Sequence, residues 1–385
     1  MKNTTILHAE DLMLHGKRGM GEIFSFFSEL QKIFSGTPTK KIKTSLKWDG
    51  SPSIVCGINP ENRKFFIGTK GVFNKIPILN YTLSDIKKNY KNNKNLSYLL
   101  SSLLVELSKL GIDGIYQGDL LFWPSLVRKR SINHQKHLTF KPNTITYSVV
   151  NSSKLGKKIN SSKFGIVFHT KYSGRKISKL RPEYGPDISN FAKNKNIWAI
   201  DSSYTNISLL TNGEKNLISS EMKLIKNVGL EPFLDELEDQ NYLTSYLNKY
   251  FNHNVKNNIK EDSLDSFLKW LSDKIEDEKL KLKTIRGKRL RDDKRKVLFD
   301  FINDHDAEIR IFFKIRRKLL KIKNIFISRI NNTDDINTFF DIDGNLKETQ
   351  PEGLVVVDGK NKIIKLIDRL EFSRNNFIAW GNKND

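Results

Sequence analysis

Lys47-Trp48-Asp49-Gly50-Ser51 is the stretch of sequence that does most to define the fold. It follows the β-rich segment 42–47 and precedes another β-rich segment that begins at Pro52, so the pentapeptide is predicted to lie in a loop between two strands. On its own, Lys-x-Asp-Gly is weak evidence for a functional site, because this pattern occurs by chance in many proteins of this size. It gains weight from three further β-rich segments, which contain Gly118-Asp119-Leu120-Leu121, Glu352-Gly353-Leu354-Val355-Val356 and Lys365-Leu366.

Strand candidates spread along the chain and interrupted by helices predict an α+β fold. Besides 42–47, they are 52–56, 65–69, 115–122, 144–150, 164–170, 197–200, 339–341, 354–357 and 363–367. Apolar residues at helical spacing predict helices at 23–34 and 96–110. Between about 215 and 332, glycine and proline are scarce and apolar residues recur every three or four positions, which predicts helices only. We therefore expect an N-terminal part of the core (1–214), a helical insert (215–332) and the C-terminal strands of the core (333–385).

Composition indicates a folded, strongly basic chain. Among 385 residues there are 24 Phe, 11 Tyr and 5 Trp, more aromatic residues than a disordered chain carries. Lys and Arg number 66 against 43 acidic residues, giving a formal charge of +23, which favours a polyanionic partner and nucleic acid first. The alternative is that a low-GC genome enriches Lys, Asn and Ile whatever the function.

Several classes of protein are excluded by simple counts. One cysteine makes neither an internal disulfide nor a multi-cysteine zinc site. The longest apolar runs fall short of the roughly 18 to 20 residues that span a bilayer, and the first residues do not form a signal peptide. We therefore expect a soluble, cytoplasmic protein without a membrane partner.

The order of the motif-bearing segments resembles the covalent nucleotidyltransferases, the superfamily of ATP-dependent DNA and RNA ligases and mRNA capping enzymes. The resemblance covers roughly residues 42–200 and 339–372 and leaves the helical insert outside it. It implies a ligase-type nucleotidyltransferase core, with ATP as the nucleotide and Mg²⁺ (or Mn²⁺) as the metal ion. In that family the motif lysine attacks ATP and forms a lysine–AMP phosphoramidate.

The resemblance assigns roles to residues near the motif. Lys47 would be the nucleophile, and Asp49 and Gly50 would shape the turn behind it. Lys70 follows the second strand, where the family often has a basic residue that contacts phosphate. Asp119 stands where the family usually has glutamate, and would contact the ribose or a metal-bound water.

Later segments supply the remaining roles that the resemblance implies. Phe164 or Phe168 would stack on adenine, Glu352 would hold the metal ion, and Lys365 would contact the α-phosphate. Carboxylate oxygens such as those of Glu352 and Asp119 suit a hard cation such as Mg²⁺.

The chemistry of a nucleophilic lysine adds a requirement. Its amine attacks phosphorus only when it is unprotonated, and neighbouring cations together with partial burial lower its pKa. We expect Lys70 and Lys365 to be such cations. A metal ion and a lysine would then stabilise the negative charge that builds up on the α-phosphate.

Three departures from the family pattern refine the prediction. DNA ligases and capping enzymes normally have arginine two residues after the motif's glycine, whereas this chain has Ser51-Pro52-Ser53, closer to the Lys-x-Asp-Gly-Ser form of some phage RNA ligases. The usual second lysine of the last motif is missing or replaced by Arg369. Only 20 residues follow Lys365, which predicts no C-terminal OB-fold.

A basic run in the helical insert is the candidate nucleic-acid contact. Its cations between Lys279 and Lys296 include Arg286, Lys288, Arg289, Arg291, Lys294 and Arg295. Such density favours phosphate binding, although a charged run of this kind is also typical of a solvated helix face.

The N-terminal segment His8-Ala-Glu-Asp11 and the glycine-rich Gly16–Gly21 permit two interpretations. The glycines with Lys17 and Arg18 would cradle a phosphate, or they form a helix-entry turn, which is favoured because glycine commonly marks turns.

The sequence as a whole predicts an ATP-dependent polynucleotide ligase, with RNA preferred and DNA possible, that joins 5′-phosphate and 3′-hydroxyl ends through lysine–AMP. Three alternatives remain open: a DNA ligase of the same mechanism, a nucleotidyltransferase with a non-nucleic-acid acceptor, and a non-catalytic nucleic-acid-binding protein.

Overall fold

The computed structural model describes residues 6–260, 262–333, 335–342 and 344–373. They form a mixed α+β structure with 46% helix and 24% strand, which confirms the α+β part of the predicted fold class. Among these residues, no helix has both the length and the apolar character needed to cross a membrane.

Ten of the fifteen strands in the described residues form within a few residues of the predicted bounds. In chain order the strands are β1 (Leu7–His8), β2 (Ile42–Leu46), β3 (Ser53–Ile58), β4 (Phe65–Gly68), β5 (Ile115–Phe122), β6 (Arg128–Ile132), β7 (Gln135–Phe140), β8 (Ile145–Val150), β9 (Phe164–Ser173), β10 (Arg181–Tyr184), β11 (Ile197–Asp201), β12 (Asn337–Ile342), β13 (Asn345–Thr349), β14 (Gly353–Asp358) and β15 (Ile363–Ile367). The sequence did not predict β1, β6, β7, β10 and β13.

The helices concentrate in the stretch predicted to contain only helices. They are α1 (Gly16–Phe34), α2 (Leu83–Asn89), α3 (Lys94–Leu107), α4 (Lys154–Ser161), α5 (Asn212–Lys226), α6 (Glu231–Leu237), α7 (Asn241–Lys256), α8 (Leu264–Leu280), α9 (Ile285–Asp304) and α10 (Asp306–Ile327). Short 3-10 turns cover Ala9–His15, Lys70–Phe73, Ser108–Leu110 and Ile177–Lys179, and a π-helical turn covers Arg369–Ser373.

The described residues divide into two compact units. The first contains Ile6, Lys43–Ile207 and Ile330–Ile363, and the second contains Leu7–Ile42, Ser208–Arg329 and 364–373. Helix α1 thus belongs with the helices α5–α10, whereas the sequence grouped it with the strands.

The first unit is built on two sheets. One has the strand order β10-β9-β5-β3-β4, with β11 paired in parallel to β9. Its apolar face packs against α3 through a core that includes Leu100, Leu103, Ile54 and Phe168. The other sheet is an antiparallel series, β13-β12-β8-β7-β6. Strand β14 is a neighbour of β2.

The second unit is mainly helical. Helix α10 has a continuous apolar face, and Ile309, Phe312, Phe313, Ile315 and Leu319 on that face are all buried. The unit also holds the parallel pair of β1 with β15, in which His8 is aligned with Lys365.

The glycine-rich segment Gly16–Gly21 lies inside α1 and does not form a phosphate-binding loop. A Cβ on Gly19 would come within 1.8 Å of the carbonyl oxygen of Leu12, so glycine lets α1 pack closely on the preceding 3-10 turn. This packing gives the segment a structural role.

Candidate functional site

The loop between β2 and β3 carries Lys47 and is fixed at both ends by backbone hydrogen bonds. The Lys47 N–H donates to the carbonyl oxygen of Gly353 at 2.8 Å, and the Ser51 N–H donates to that of Leu120, also at 2.8 Å. Leu120 in turn donates its N–H to the Pro52 carbonyl at 3.1 Å. These bonds tie the loop to two of the other predicted motif segments.

The Lys47 amine lies against Glu352. Its Nζ donates to Glu352 Oε2 at 3.1 Å and to the Trp48 carbonyl oxygen at 3.0 Å. Glu352 is buried, whereas the Lys47 side chain is 34% exposed. The amine is therefore held in place by a buried carboxylate, on a side chain that is partly exposed.

Carboxylates, not cations, dominate the field at Lys47. Burial disfavours the charged amine, but the attraction of Glu352, Asp119 and Asp49 outweighs burial and raises the pKa of Lys47 above its ordinary value. This reverses the expectation that Lys70 and Lys365 would lower it. In the ligand-free protein the amine is an ammonium ion, and it needs a change in its surroundings before it can attack.

Asp49 anchors the loop to the turn between β7 and β8. Its carboxylate accepts hydrogen bonds from the backbone N–H groups of Thr144 at 2.6 Å and Ile145 at 2.8 Å, and from the Asn143 side chain at 2.7 Å. The Asp49 N–H donates to the hydroxyl of Tyr147 at 2.7 Å. With its oxygens engaged in this way, Asp49 shapes the loop, as the resemblance implied.

Gly50 is required by a close approach. A Cβ at this position would come within 2.7 Å of the Asp119 Cβ and 2.9 Å of the Leu120 carbonyl oxygen. Glycine thus allows the loop to lie directly on β5 and places Asp119 beside the motif.

Asp119 is paired with a histidine that the sequence did not single out. The His169 Nε2 lies 3.6 Å from Asp119 Oδ2. Burial alone would raise the pKa of Asp119, but His169, Lys47 and a hydrogen bond from Ser53 together hold it below its ordinary value. Asp119 is therefore an ionised carboxylate near Lys47.

A β-bulge explains why His169 was missed. Gln117 pairs with Thr170 and Gly118 pairs with Phe168, so His169 is the extra residue between them. Bulges re-aim side chains and are frequent beside active sites. Simple strand alternation gives no signal for this, although a histidine next to the predicted aromatic segment was visible in the sequence.

The donor set suits a hard divalent cation bound together with phosphate. Glu352 and Asp119 both act on the same amine, and Mg²⁺ is commonly bound by one or two carboxylates plus substrate oxygens. No cluster of three His, Cys, Asp or Glu side chains occurs in the described part of the chain, so an all-protein metal cage is not part of this site.

The other predicted contacts fall at different places. Lys70 is exposed and lies two residues beyond Gly68, which pairs with Val55 of β3. Strand β4 ends at Gly68, and Lys70 begins the 3-10 turn that follows it. Ser53 of β3, two positions before Val55, pairs with Asp119, so β4 ends at the end of the sheet where Asp119 lies. Lys365 lies in β15 of the second unit, aligned with His8.

Phe164 and Phe168 are buried in the hydrophobic core. The ring of Phe168 packs edge-on against Tyr116 and Phe191. A role as an adenine platform does not fit this burial, because neither ring presents a free face to a ligand.

The six cations of the basic run all lie on α9, where they divide into two groups. Arg286, Lys288 and Arg289 are exposed. The remaining cations have partners within the second unit: Arg291 binds Glu278 and two tyrosines, Arg295 binds Ser272, and Lys294 lies over the Tyr242 ring. Half of the run therefore serves the packing of α9.

The His8–Asp11 segment forms a buried ionic cluster in the second unit. Glu10 accepts a hydrogen bond from Lys323 at 2.7 Å, and both side chains are almost completely buried. Asp11 accepts from Arg369 at 3.1 and 3.2 Å. Arg369, the suggested replacement for a catalytic lysine, thus has a structural partner.

Comparison with known proteins identifies a family. A family model described as a family of unknown function (DUF6267) matches residues 3–380. No curated protein and no solved structure matches the chain.

Proposed function

The chain belongs to DUF6267, a family of unknown function, and we propose that it is an ATP-dependent polynucleotide ligase with a ligase-type nucleotidyltransferase core. One observation carries the proposal: the amine of the partly exposed Lys47 side chain is held by the buried Glu352 at 3.1 Å, on a loop with the Lys-x-Asp-Gly sequence.

The proposed first step transfers AMP to Lys47. The neutral Nζ attacks the α-phosphorus of ATP, an N–P bond forms, and the P–O bond to the β-phosphate breaks. Pyrophosphate leaves with the bonding electron pair, and Nζ loses a proton, so that a phosphoramidate remains. The loop bonds to Gly353 and Leu120 hold Lys47 in one position for this attack.

The two later steps transfer AMP from Lys47 to the nucleic-acid strand and then release it. An oxygen of a 5′-phosphate attacks the AMP phosphorus and displaces Lys47, which gives a 5′–5′ pyrophosphate linkage. A 3′-hydroxyl then attacks the phosphorus of the strand, forms the phosphodiester and expels AMP.

The carboxylates near Lys47 disfavour loss of its proton, but the same carboxylates are suited to binding a divalent cation. A divalent cation bound by Glu352 and Asp119 would offset their negative charge and supply positive charge to the phosphates. A cation held there would weaken the attraction that raises the pKa of Lys47. His169 stays beside Asp119 and orients it.

RNA is the proposed preferred substrate. The support is the Ser51-Pro52-Ser53 continuation of the motif, which resembles phage RNA ligases. A 2′-hydroxyl donates and accepts hydrogen bonds, and through it a protein distinguishes RNA from DNA.

Labelled ATP with Mg²⁺ or Mn²⁺ tests the proposal directly. We expect mass spectrometry to find AMP on Lys47 of the wild type and none on Lys47→Ala. Lys43→Ala is the matched control, because Lys43 is an exposed lysine on the preceding strand and should not affect labelling. Label that persists in Lys47→Ala would refute the assignment.

The pre-adenylylated protein then tests the acceptor. We expect faster sealing of RNA ends than of DNA ends. Faster sealing of an all-DNA nick would make the protein a DNA ligase of the same mechanism, and AMP release without any sealing would favour a non-nucleic-acid acceptor.

A further inference from the structure

Helices α2 and α3 of the first unit border an open groove with a volume of about 520 Å³. The described residues that line it include three lysines, two tyrosines and two serines, and no acidic residue. The lysines are Lys87, Lys91 and Lys94, and the tyrosines are Tyr90 and Tyr98. The groove is therefore positive and aromatic.

The charges of the three lysines are not neutralised by ion pairs within the described residues. All three are exposed, and none forms a salt bridge with any residue in the described ranges. By contrast, Lys279 of α8 and Arg291 and Arg295 of α9 each have a carboxylate within 4.0 Å. Unpaired cations gathered around a groove repel one another, and this repulsion is relieved when a polyanion binds.

Tyr98 supplies a surface for stacking. Its side chain is 77% exposed, which is unusual for a ring of this size on a well-formed helix. Tyr90 is half-buried, and its hydroxyl lies 3.4 Å from the Thr69 hydroxyl, next to Lys70. Tyr90, which lines the groove, therefore contacts the residue that precedes Lys70.

The backbone around the groove is firmly held. Thr82 and Asp85 form a reciprocal capping box at the start of α2, and the Asn93 side chain accepts from the Leu96 N–H at the start of α3. The backbone of α2 and α3, which carries Lys87, Lys94 and Tyr98, is therefore held in place before any ligand arrives.

We propose that this groove binds single-stranded nucleic acid, with phosphates against Lys87, Lys91 and Lys94 and a base stacked on Tyr98. A cationic track combined with aromatic platforms is the arrangement by which proteins hold unpaired strands. A duplex would offer phosphates but no base face to Tyr98. The inference rests on the proposed function only in treating the bound strand as the substrate of Lys47.

Fluorescence anisotropy with labelled 20-nucleotide oligo(rA), oligo(dA) and a DNA duplex tests the groove. We expect Tyr98→Ala to weaken binding of both single strands about 5- to 100-fold, whereas Tyr98→Phe, which keeps the ring, binds as the wild type does. The combined Lys87→Glu, Lys91→Glu, Lys94→Glu variant should also show a weaker salt dependence: the plot of log affinity against log salt concentration should be less steep by about 2.

Reversal of Arg286, Lys288 and Arg289 to Glu is the matched control, because it makes the same charge change on α9. If the α9 variant lost affinity for the strands and the groove variants did not, the inference would be overturned and binding would be assigned to α9. Failure of the wild type to bind either single strand would also overturn the inference. If the lysine variant lost affinity and Tyr98→Ala did not, the single-strand assignment would be overturned. Tighter binding of the duplex than of the single strands would have the same consequence.

AMP labelling of Lys47 separates the two proposals. Intact labelling in variants that no longer bind strands supports both. Absent labelling in a wild type that binds strands through the groove would refute the ligase and leave the groove standing.

Discussion

The charge around Lys47 determines the pH at which its amine becomes a nucleophile. Glu352 is the nearest of the carboxylates that raise its pKa, so Glu352→Gln should lower that pKa and make the amine reactive at lower pH. A short pulse of acetic anhydride, read by mass spectrometry across pH, measures this without ATP. Lys43, exposed on β2, should show the same profile in both proteins. An unchanged profile for Lys47 would mean that Glu352 does not set its charge state.

Gly50 tests whether the motif must lie directly on β5. In Gly50→Ala the new Cβ meets Asp119 and the Leu120 backbone, so we expect a loss of about 1–3 kcal/mol in the free energy of unfolding and loss of AMP labelling. Urea unfolding measures the first quantity. Gly213→Ala, where a Cβ meets no atom within 4 Å, should be neutral or slightly stabilising. Similar behaviour of the two variants would contradict the close packing.

The family resemblance grouped Lys47, Glu352 and Asp119 at one site, because the motifs follow one another along the chain in the order typical of that family. It did not find the residues that position them. Asn143 precedes and Thr144 begins the predicted strand 144–150, and nothing in the sequence indicates their bonds to Asp49, which lies 94 and 95 positions away. His169 was hidden by a bulge, which breaks the alternation on which strand predictions rely.

At the scale of one helix, α9 shows why a basic run is a weak predictor of binding. Arg291 donates to the hydroxyls of Tyr242 and Tyr246 at 2.7 and 3.2 Å and lies 3.0 Å from Glu278, whereas Arg289 is exposed. The letters of the sequence do not distinguish the two, because the partners of Arg291 come from other helices.

This difference gives a matched pair of substitutions. Arg291→Ala removes charge-assisted bonds and should lower the free energy of unfolding by about 1–3 kcal/mol. Arg289→Ala, on the same helix, should leave it unchanged within about 0.5 kcal/mol. Thermal unfolding followed by circular dichroism decides; equal effects would mean that the contacts of Arg291 contribute nothing to stability.

For the molecule as a whole, the sequence predicted the elements more accurately than their grouping. Helical and strand segments follow from local periodicity, which is why β2, β5, β9 and β14 lie where expected. The unit to which Leu7–Ile42 belongs depends on contacts with residues some 300 positions away. A charged pair such as Glu10 and Lys323 leaves no local signal, because each residue alone is typical of an exposed surface.

The Glu10–Lys323 pair joins the N-terminal 3-10 turn to α10 within the second unit, and substitutions at the pair test how much this link stabilises the protein. The residues are 313 positions apart, and the side chains are 0% and 1% exposed. Lys323→Met leaves the Glu10 carboxylate buried beside Asp11 without its nearest cation, so we expect a loss of about 3–5 kcal/mol in the free energy of unfolding. Adding Glu10→Gln removes that charge, and the double variant should regain much of the loss, since a buried pair costs desolvation that its attraction only partly offsets. Urea unfolding of the single and double variants measures the coupling. Additive losses would show that the two charges do not depend on each other.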